Sequence, residues 1–294
     1  MDFPAPARYD LRVSLLSIAV LAVVQGLAEL LPVSSSAHVV VAEKLMGLDP
    51  SAPEMTFLLV MLHTGTMFAV ILYFWPRWKE RFLSVGSDAR AALIRALIIA
   101  TIATGVLGLI LKRLIEKVVL GGGSGAEVES LFSNLHLVGG ALAGAGFLIL
   151  WAGSRRDDAP VLPLTDSSAA KIGLVQGLCL PFRGFSRSGA TISSGLLLGI
   201  PRALCEDFSF ALAVILTPPV IVLEGRRLVK ASPLGGRPAW ASLFTPGMIG
   251  MVFSFGAGLL ALRWLSSWLE KGRWTWFGWY CLAASAGVLF FASR

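Results

Sequence analysis

The sequence predicts an all-α polytopic membrane protein of inverted-topology repeats, each with a re-entrant helical hairpin. Three observations carry that expectation. The first is composition: of 294 residues 55% are hydrophobic and 15% charged, where a soluble domain carries about a quarter charged. Mean hydropathy is +0.75. The second is a run of apolar windows near 13–31, 38–47, 57–75, 96–111, 137–153, 172–182, 189–200, 208–223, 247–263 and 275–292. Several approach the roughly 20 residues that cross a bilayer core. The third is that two window pairs, 13–31 with 38–47 and 172–182 with 189–200, are split by polar, turn-forming residues. At least one half of each pair is too short to span.

The elements follow in order. The run 13–31 is too long for a signal-peptide core, and the residues after it form no cleavage site, so it is read as part of the mature chain. The split pairs suggest hairpins that dip into the membrane and return; one kinked span or a short surface loop is the plainer alternative. Between the long windows 57–75 and 96–111 lie Arg77, Lys79, Arg81, Arg90 and Arg95, which favours the cytoplasm for the 76–95 loop. Counting onward places the first hairpin outside and the 154–171 loop, with Arg155 and Arg156, inside. The second hairpin then enters from the inner side, inverted relative to the first. The 224–243 loop disagrees, because it carries Arg226, Arg227, Lys230 and Arg237 yet counts as outside.

Gln25-Gly26-Leu27 recurs as Gln176-Gly177-Leu178, and the same offset of 151 residues sets Ser35 on Ser186. An internal duplication of this kind places a site at the interface of the repeats. The organisation expected is one integral membrane domain over 1–294, with repeat 1 near 13–111, repeat 2 near 137–263 and a final helix near 275–292. All nine tryptophans (Trp75, Trp78, Trp151, Trp240, Trp264, Trp268, Trp274, Trp276 and Trp279) fall at or near segment ends and are read as interfacial anchors. Gly121–Gly125 (GGGSG) precedes no strand and lacks GK[ST], so it is a loop and not a nucleotide cradle. Cys179, Cys205 and Cys281 form no CxxC pair and read as buried thiols. The net charge of +7 suits membrane lipids with anionic headgroups; no basic patch stands clear of the apolar windows, so nucleic acid is not an expected partner.

Three stretches carry chemistry. Glu29 lies inside an apolar run, where a charged carboxylate costs about 2.5–3.5 kcal/mol on insertion scales and usually faces a cavity or a partner. Gln25 sits one helical turn back on the same face. Such oxygen donors suit a hard divalent cation, Mg2+ or Ca2+, held together with substrate phosphates; the plainer reading is an interfacial, solvated Glu29. Next, Pro32 stops a helix, and Ser34, Ser35 and Ser36 can open another toward an anion. His38 follows, within reach as nucleophile or general acid, or as an ordinary satisfied core histidine. In Gly184-Phe185-Ser186-Arg187-Ser188-Gly189-Ala190-Thr191 the glycines allow close approach, hydroxyls donate, and a guanidinium can fork onto two phosphate oxygens. Arg187 could instead snorkel to a headgroup. Together these residues fit a phosphate-bearing substrate with a large apolar part.

At these residues the chain resembles the undecaprenyl-diphosphate phosphatase, or bacitracin-resistance, family. Its (E/Q)xxxE and PxSSxxH signature is matched by Gln25, Glu29, Pro32, Ser34, Ser35 and His38. Its PGxSRSxxT signature is matched by Gly184, Ser186, Arg187, Ser188 and Thr191, and LHTGTMFAVILY at 62–73 is also similar. Two departures stand out. Arg183 occupies the place of the second motif's proline, with Pro181 two residues earlier, and Gln25 replaces the glutamate of many members.

The resemblance implies divalent-metal-dependent hydrolysis of undecaprenyl diphosphate to undecaprenyl phosphate and phosphate. That recycles the lipid carrier of cell-wall synthesis and gives bacitracin resistance. It implies a bacterial cytoplasmic (inner) membrane protein of interlocked inverted repeats, its site toward the outer face, and leaves a homodimer open. Glu29 would hold the metal or orient the attacking group, and Arg187 with Ser186, Ser188 and Thr191 would grip the diphosphate, with Gln25, Ser34 and Ser36 beside it. Ser35 and His38 both remain candidates for nucleophile or proton transfer. A rival reading is an isoprenyl-phosphate flippase without hydrolysis, which would release no phosphate when purified. The other membrane phosphatase signature, SRx5Hx3D, is absent, because Ser193 falls at its histidine position.

Overall fold

The computed structural model describes residues 14–50, 53–81, 86–119, 121, 131, 134–155, 160–231 and 244–293. These form ten α-helices: α1 (Leu15–Leu30), α2 (Ser35–Leu45), α3 (Pro53–Lys79), α4 (Ser87–Leu114), α5 (Leu135–Gly153), α6 (Asp166–Cys179), α7 (Arg187–Leu197), α8 (Arg202–Ala231), α9 (Phe244–Glu270) and α10 (Trp274–Ala292). A π-helical turn, Ile115–Val119, prolongs α4. Among the described residues there is no strand. Six helices are long and apolar enough to cross a bilayer: α3, α4, α5, α8, α9 and α10. The chain is therefore an all-α, multi-pass membrane protein, as its windows predict.

The short helices sit where the split windows lie. Polar residues set their ends. Ser14 caps α1 by accepting the Ser17 N–H at 3.0 Å, and α1 stops at Leu31, whose extended backbone precedes Pro32. Thr165 and Ser168 form a capping box on α6. The pairs α1/α2 and α6/α7 each pack together as a hairpin.

Helix lengths repeat: 16, 11, 27, 28 and 19 residues in α1–α5, then 14, 11, 30, 27 and 19 in α6–α10. Packing repeats with them. α1 lies on α9 while α6 lies on α4, α3 lies on α8, and α5 lies on α10. The two matched glycines explain the first pair of contacts. A Cβ on Gly26 would come within 2.6 Å of Ala257 Cβ, and one on Gly177 within 2.9 Å of the Thr104 carbonyl oxygen. Each hairpin is thus held by the fourth helix of the other half.

The expected loops are shorter than the windows suggest. α3 runs through Pro76 to Lys79 and α8 through Pro218 and Pro219 to Ala231, because polar and charged residues can continue a helix beyond the apolar layer. Arg77 and Arg81 are not loop charges: Arg77 Nη1 lies 3.2 Å from Glu206 Oε2, and Arg81 Nε lies 2.7 Å from Asp207 Oδ2, tying α3 to α8. Trp274 is a correction to the anchor reading. It is 2% exposed and its Nε1 donates to Ser193 Oγ at 3.0 Å. Trp75, Trp151, Trp264, Trp276 and Trp279 are exposed on the outer surface of the bundle. Trp240, Arg156, Arg237 and residues 122–125 lie outside the described residues. The three cysteines are free and buried, as expected.

Close helix approach also occurs at Gly65 of α3, where an added Cβ would fall on the Met251 carbonyl oxygen and Ser254 Oγ of α9. Gly65→Ala is expected to lower thermal stability in detergent by about 1–3 kcal/mol, the cost of overpacking. An unfolding midpoint equal to wild type would show that α9 can move away.

Candidate active site

The connection between α1 and α2 folds back so that the α2 serines face the end of α1. Glu29 Oε2 accepts Ser35 Oγ–H at 2.5 Å and Gln25 Nε2–H at 3.1 Å. Glu29 Oε1 accepts Arg187 Nη2–H at 2.8 Å, from the first residue of α7. The two hairpin tips are further joined by Ser188 Oγ donating to the Leu31 carbonyl at 3.3 Å and the Gly184 N–H donating to Ser36 Oγ at 3.4 Å. Gln25, Glu29, Ser35 and Arg187 form one connected cluster, assembled from two hairpins about 150 residues apart in the chain.

The remaining predicted residues hold the backbone. Ser186 caps α7, accepting the Gly189 N–H at 3.2 Å. Thr191 Oγ1 donates to the Arg187 carbonyl at 2.9 Å and lies 2.6 Å from Ser209 Oγ on α8. Ser34 stands at the N-cap of α2, but its side chain makes no capping bond; its hydroxyl lies 3.4 Å from Ser36 Oγ. Among the described residues Ser34 is the one non-glycine with positive φ, at 67°, a conformation that persists only where the surroundings enforce it. His38 supplies that enforcement. Its Nδ1 lies 2.7 Å from the Ser34 carbonyl and must carry the proton there, leaving Nε2 to accept Tyr280 O–H at 2.8 Å. The structure does not bring His38 into contact with Glu29 or Arg187.

One residue escaped the sequence reading. His63 of α3 presents Nε2 3.5 Å from Glu29 Oε2 while its Nδ1 lies 2.8 Å from the Leu59 carbonyl. The signal was an imidazole within an otherwise apolar span, inside the stretch LHTGTMFAVILY. Glu29, His63 and Arg187 form the polar end of a narrow cleft between α3 and α8, whose walls include Met67, Val70 and Val214. The side chains of Glu29 and Arg187 are 15% and 21% exposed.

Two buried polar atoms in this cluster have no partner among the described residues: Gln25 Oε1 and Arg187 Nη1. The first is an orphaned acceptor beside a carboxylate, which suits a cation. The second is an orphaned donor, which suits an anion. Among the described residues no group of three His, Cys, Asp or Glu could cage a metal. The donor set therefore fits a hard cation only if substrate oxygens complete its shell. A hydroxyl bonded to a carboxylate, next to a guanidinium with a free N–H, is an arrangement for transferring a phosphoryl or acyl group to oxygen.

The family model described as "Bacitracin resistance protein BacA" matches residues 18–287. The chain is 60% identical over 280 residues to "Undecaprenyl-diphosphatase 2" of Acinetobacter baylyi, covering 94% of this chain and 97% of that one. It is 35% identical over 293 residues to "Undecaprenyl-diphosphatase" of Desulfosudis oleivorans, covering 94% and 97%. It is 33% identical over 283 residues to the protein of the same name from a Polaromonas species, covering 94% of each. A family model matching residues 18–287 and a relative 60% identical over most of both chains place the chain in the bacitracin resistance protein BacA family.

Proposed function

We propose that this protein hydrolyses undecaprenyl diphosphate to undecaprenyl phosphate and inorganic phosphate, recycling the lipid carrier for cell-wall synthesis and conferring bacitracin resistance. The observation that carries the reading is the free Arg187 Nη1 beside a Ser35–Glu29 pair at the polar end of a cleft with apolar walls. The polar end offers a donor to diphosphate oxygens, and the apolar walls with the surrounding lipid suit the chemistry of an isoprenyl chain.

The step begins with Ser35 Oγ attacking the terminal phosphorus while its proton passes to Glu29 Oε2, already 2.5 Å away. The bond from that phosphorus to the bridging oxygen breaks, and Glu29 returns the proton to the departing lipid phosphate. Glu29 then takes a proton from water as the water oxygen attacks the phosphoserine, and returns it to Ser35 Oγ as phosphate leaves. Arg187 stabilises charge on the transferred phosphoryl throughout. His38 has both ring nitrogens engaged away from the cluster, which favours Ser35 as nucleophile and gives His38 the task of holding the Ser34 turn.

A divalent cation belongs to the reading. Glu29 and the Gln25 carbonyl would hold it with substrate oxygens, and it would neutralise diphosphate charge. The two hairpins entering the inner membrane from opposite sides, with the site toward the outer face, and a homodimer complete the proposal. The test is phosphate release from undecaprenyl diphosphate by purified protein in detergent. Release should stop with chelator and return with Mg2+ or Ca2+. No release under any metal would overturn hydrolysis and leave lipid transfer; release undiminished by chelator would remove the cation.

A further inference from the structure

His63 lines the same cleft as Glu29 and Arg187, yet the hydrolytic steps give it no task. Its ring is fixed by α3 itself. A carbonyl oxygen can only accept, so Nδ1, 2.8 Å from the Leu59 carbonyl, carries the proton. In the neutral ring Nε2 is then a bare acceptor. It lies 3.5 Å from Glu29 Oε2, beyond the roughly 2.7–3.2 Å of a hydrogen bond. Glu29 Oε2 is moreover served by two donors already, Ser35 Oγ–H at 2.5 Å and Gln25 Nε2–H at 3.1 Å. Those two fill its lone-pair sites, so His63 is not placed there to donate. The contact sets two acceptors side by side, the imidazole on a side chain 34% exposed in the cleft wall.

Two adjacent acceptors suit a water molecule, which has two O–H donors. The covalent route needs such a water only in its second half. Once Ser35 Oγ carries the phosphoryl group it has no proton to give, and one lone-pair site of Glu29 Oε2 is released. We propose that His63 Nε2 orients the water that hydrolyses the phosphoserine, accepting a hydrogen bond from one O–H while Glu29 Oε2 takes the other proton. The water oxygen bonds to phosphorus as the bond from phosphorus to Ser35 Oγ breaks. The proton on Glu29 passes to Ser35 Oγ, and the hydrogen held by His63 leaves as part of the phosphate. His63 thus serves the second half-reaction alone. This rests on the hydrolase reading with Ser35 as nucleophile.

The test uses His63→Leu, which fills the space and loses the acceptor, and His63→Gln, whose amide oxygen can stand in for Nε2. Purified proteins in detergent are given undecaprenyl diphosphate labelled in its terminal phosphate; phosphate release is followed, and label on Ser35 is read after acid quenching. His63→Leu should lower kcat by about a hundredfold, the lower end for a positioned proton acceptor. KM should fall in proportion and kcat/KM stay near wild type, because that ratio reports only the steps up to lipid phosphate departure. Label on Ser35 should rise toward one per protein. His63→Gln should recover most of kcat and shed the excess label. A His63→Leu protein with wild-type kcat, or one with kcat/KM lowered and no rise in label, would overturn the assignment. Phosphate release by wild type with no label on Ser35 in either wild type or His63→Leu would end the covalent route, and the assignment with it. No phosphate release by wild type would end both together, a failure visible before any variant is made.

Discussion

Arg187→Lys is expected to lower kcat/KM for undecaprenyl diphosphate by about a thousandfold, the scale of losing a donor aimed at developing charge on a transferred phosphoryl. The substitution keeps the positive charge, so the loss isolates geometry. Arg187 uses Nη2 to hold Glu29 Oε1 at 2.8 Å and keeps Nη1 buried, without a partner among the described residues. Its planar fork can serve carboxylate and phosphate together, whereas an ammonium on a flexible stem acts as one point charge. Lysine would have to abandon one of the two. If it stays with Glu29, KM rises and kcat/KM falls; if it turns to the phosphate, the base loses its orientation and kcat falls. Turnover within a few-fold of wild type would remove the fork from the site's chemistry.

Ser35→Ala should reduce phosphate release to the background of protein-free micelles, and Glu29→Gln should lower kcat by about a thousandfold, within the usual worth of a positioned base. The two changes attack one unit, since Ser35 Oγ donates to Glu29 Oε2 at 2.5 Å. Their combination should therefore be no worse than Ser35→Ala alone, the non-additivity expected of residues acting together. Acid quenching of wild-type protein with diphosphate labelled in its terminal phosphate should leave label on Ser35, and Glu29→Gln should leave less. A Ser35→Ala protein that retains turnover would transfer the nucleophile to water, with Glu29 as its base.

Most of this cluster was legible in the chain because membrane burial makes polar residues conspicuous. Glu29 and Arg187 each stand out against apolar neighbours, and the serines beside Pro32 mark a helix start. The match of Gln25-Gly26 to Gln176-Gly177 pointed to a duplication, and the structure uses the two glycines to seat α1 on α9 and α6 on α4. Other features could not be read because packing between distant segments decides them. His38 meets Tyr280, a partner 242 residues away, a contact that no spacing in the sequence announces. Trp274 looked like an interfacial anchor by position, yet Ser193 gives its indole N–H a partner in the interior. His63 lies in an apolar span, and only the packing of α3 against α1 turns its imidazole toward Glu29.

The interlocked packing has a consequence for how the protein is made. Gly26 fits against Ala257 of α9, which leaves the ribosome about 230 residues later, a delay of roughly 10–50 s at ordinary synthesis rates. Through that interval the first helix, with its carboxylate, waits in the bilayer without its groove, and Glu29 lacks Arg187 for most of it. The newborn chain therefore cannot touch its substrate one half at a time. Competence arrives in one late event, when α9 seats α1 and the two tips close on each other.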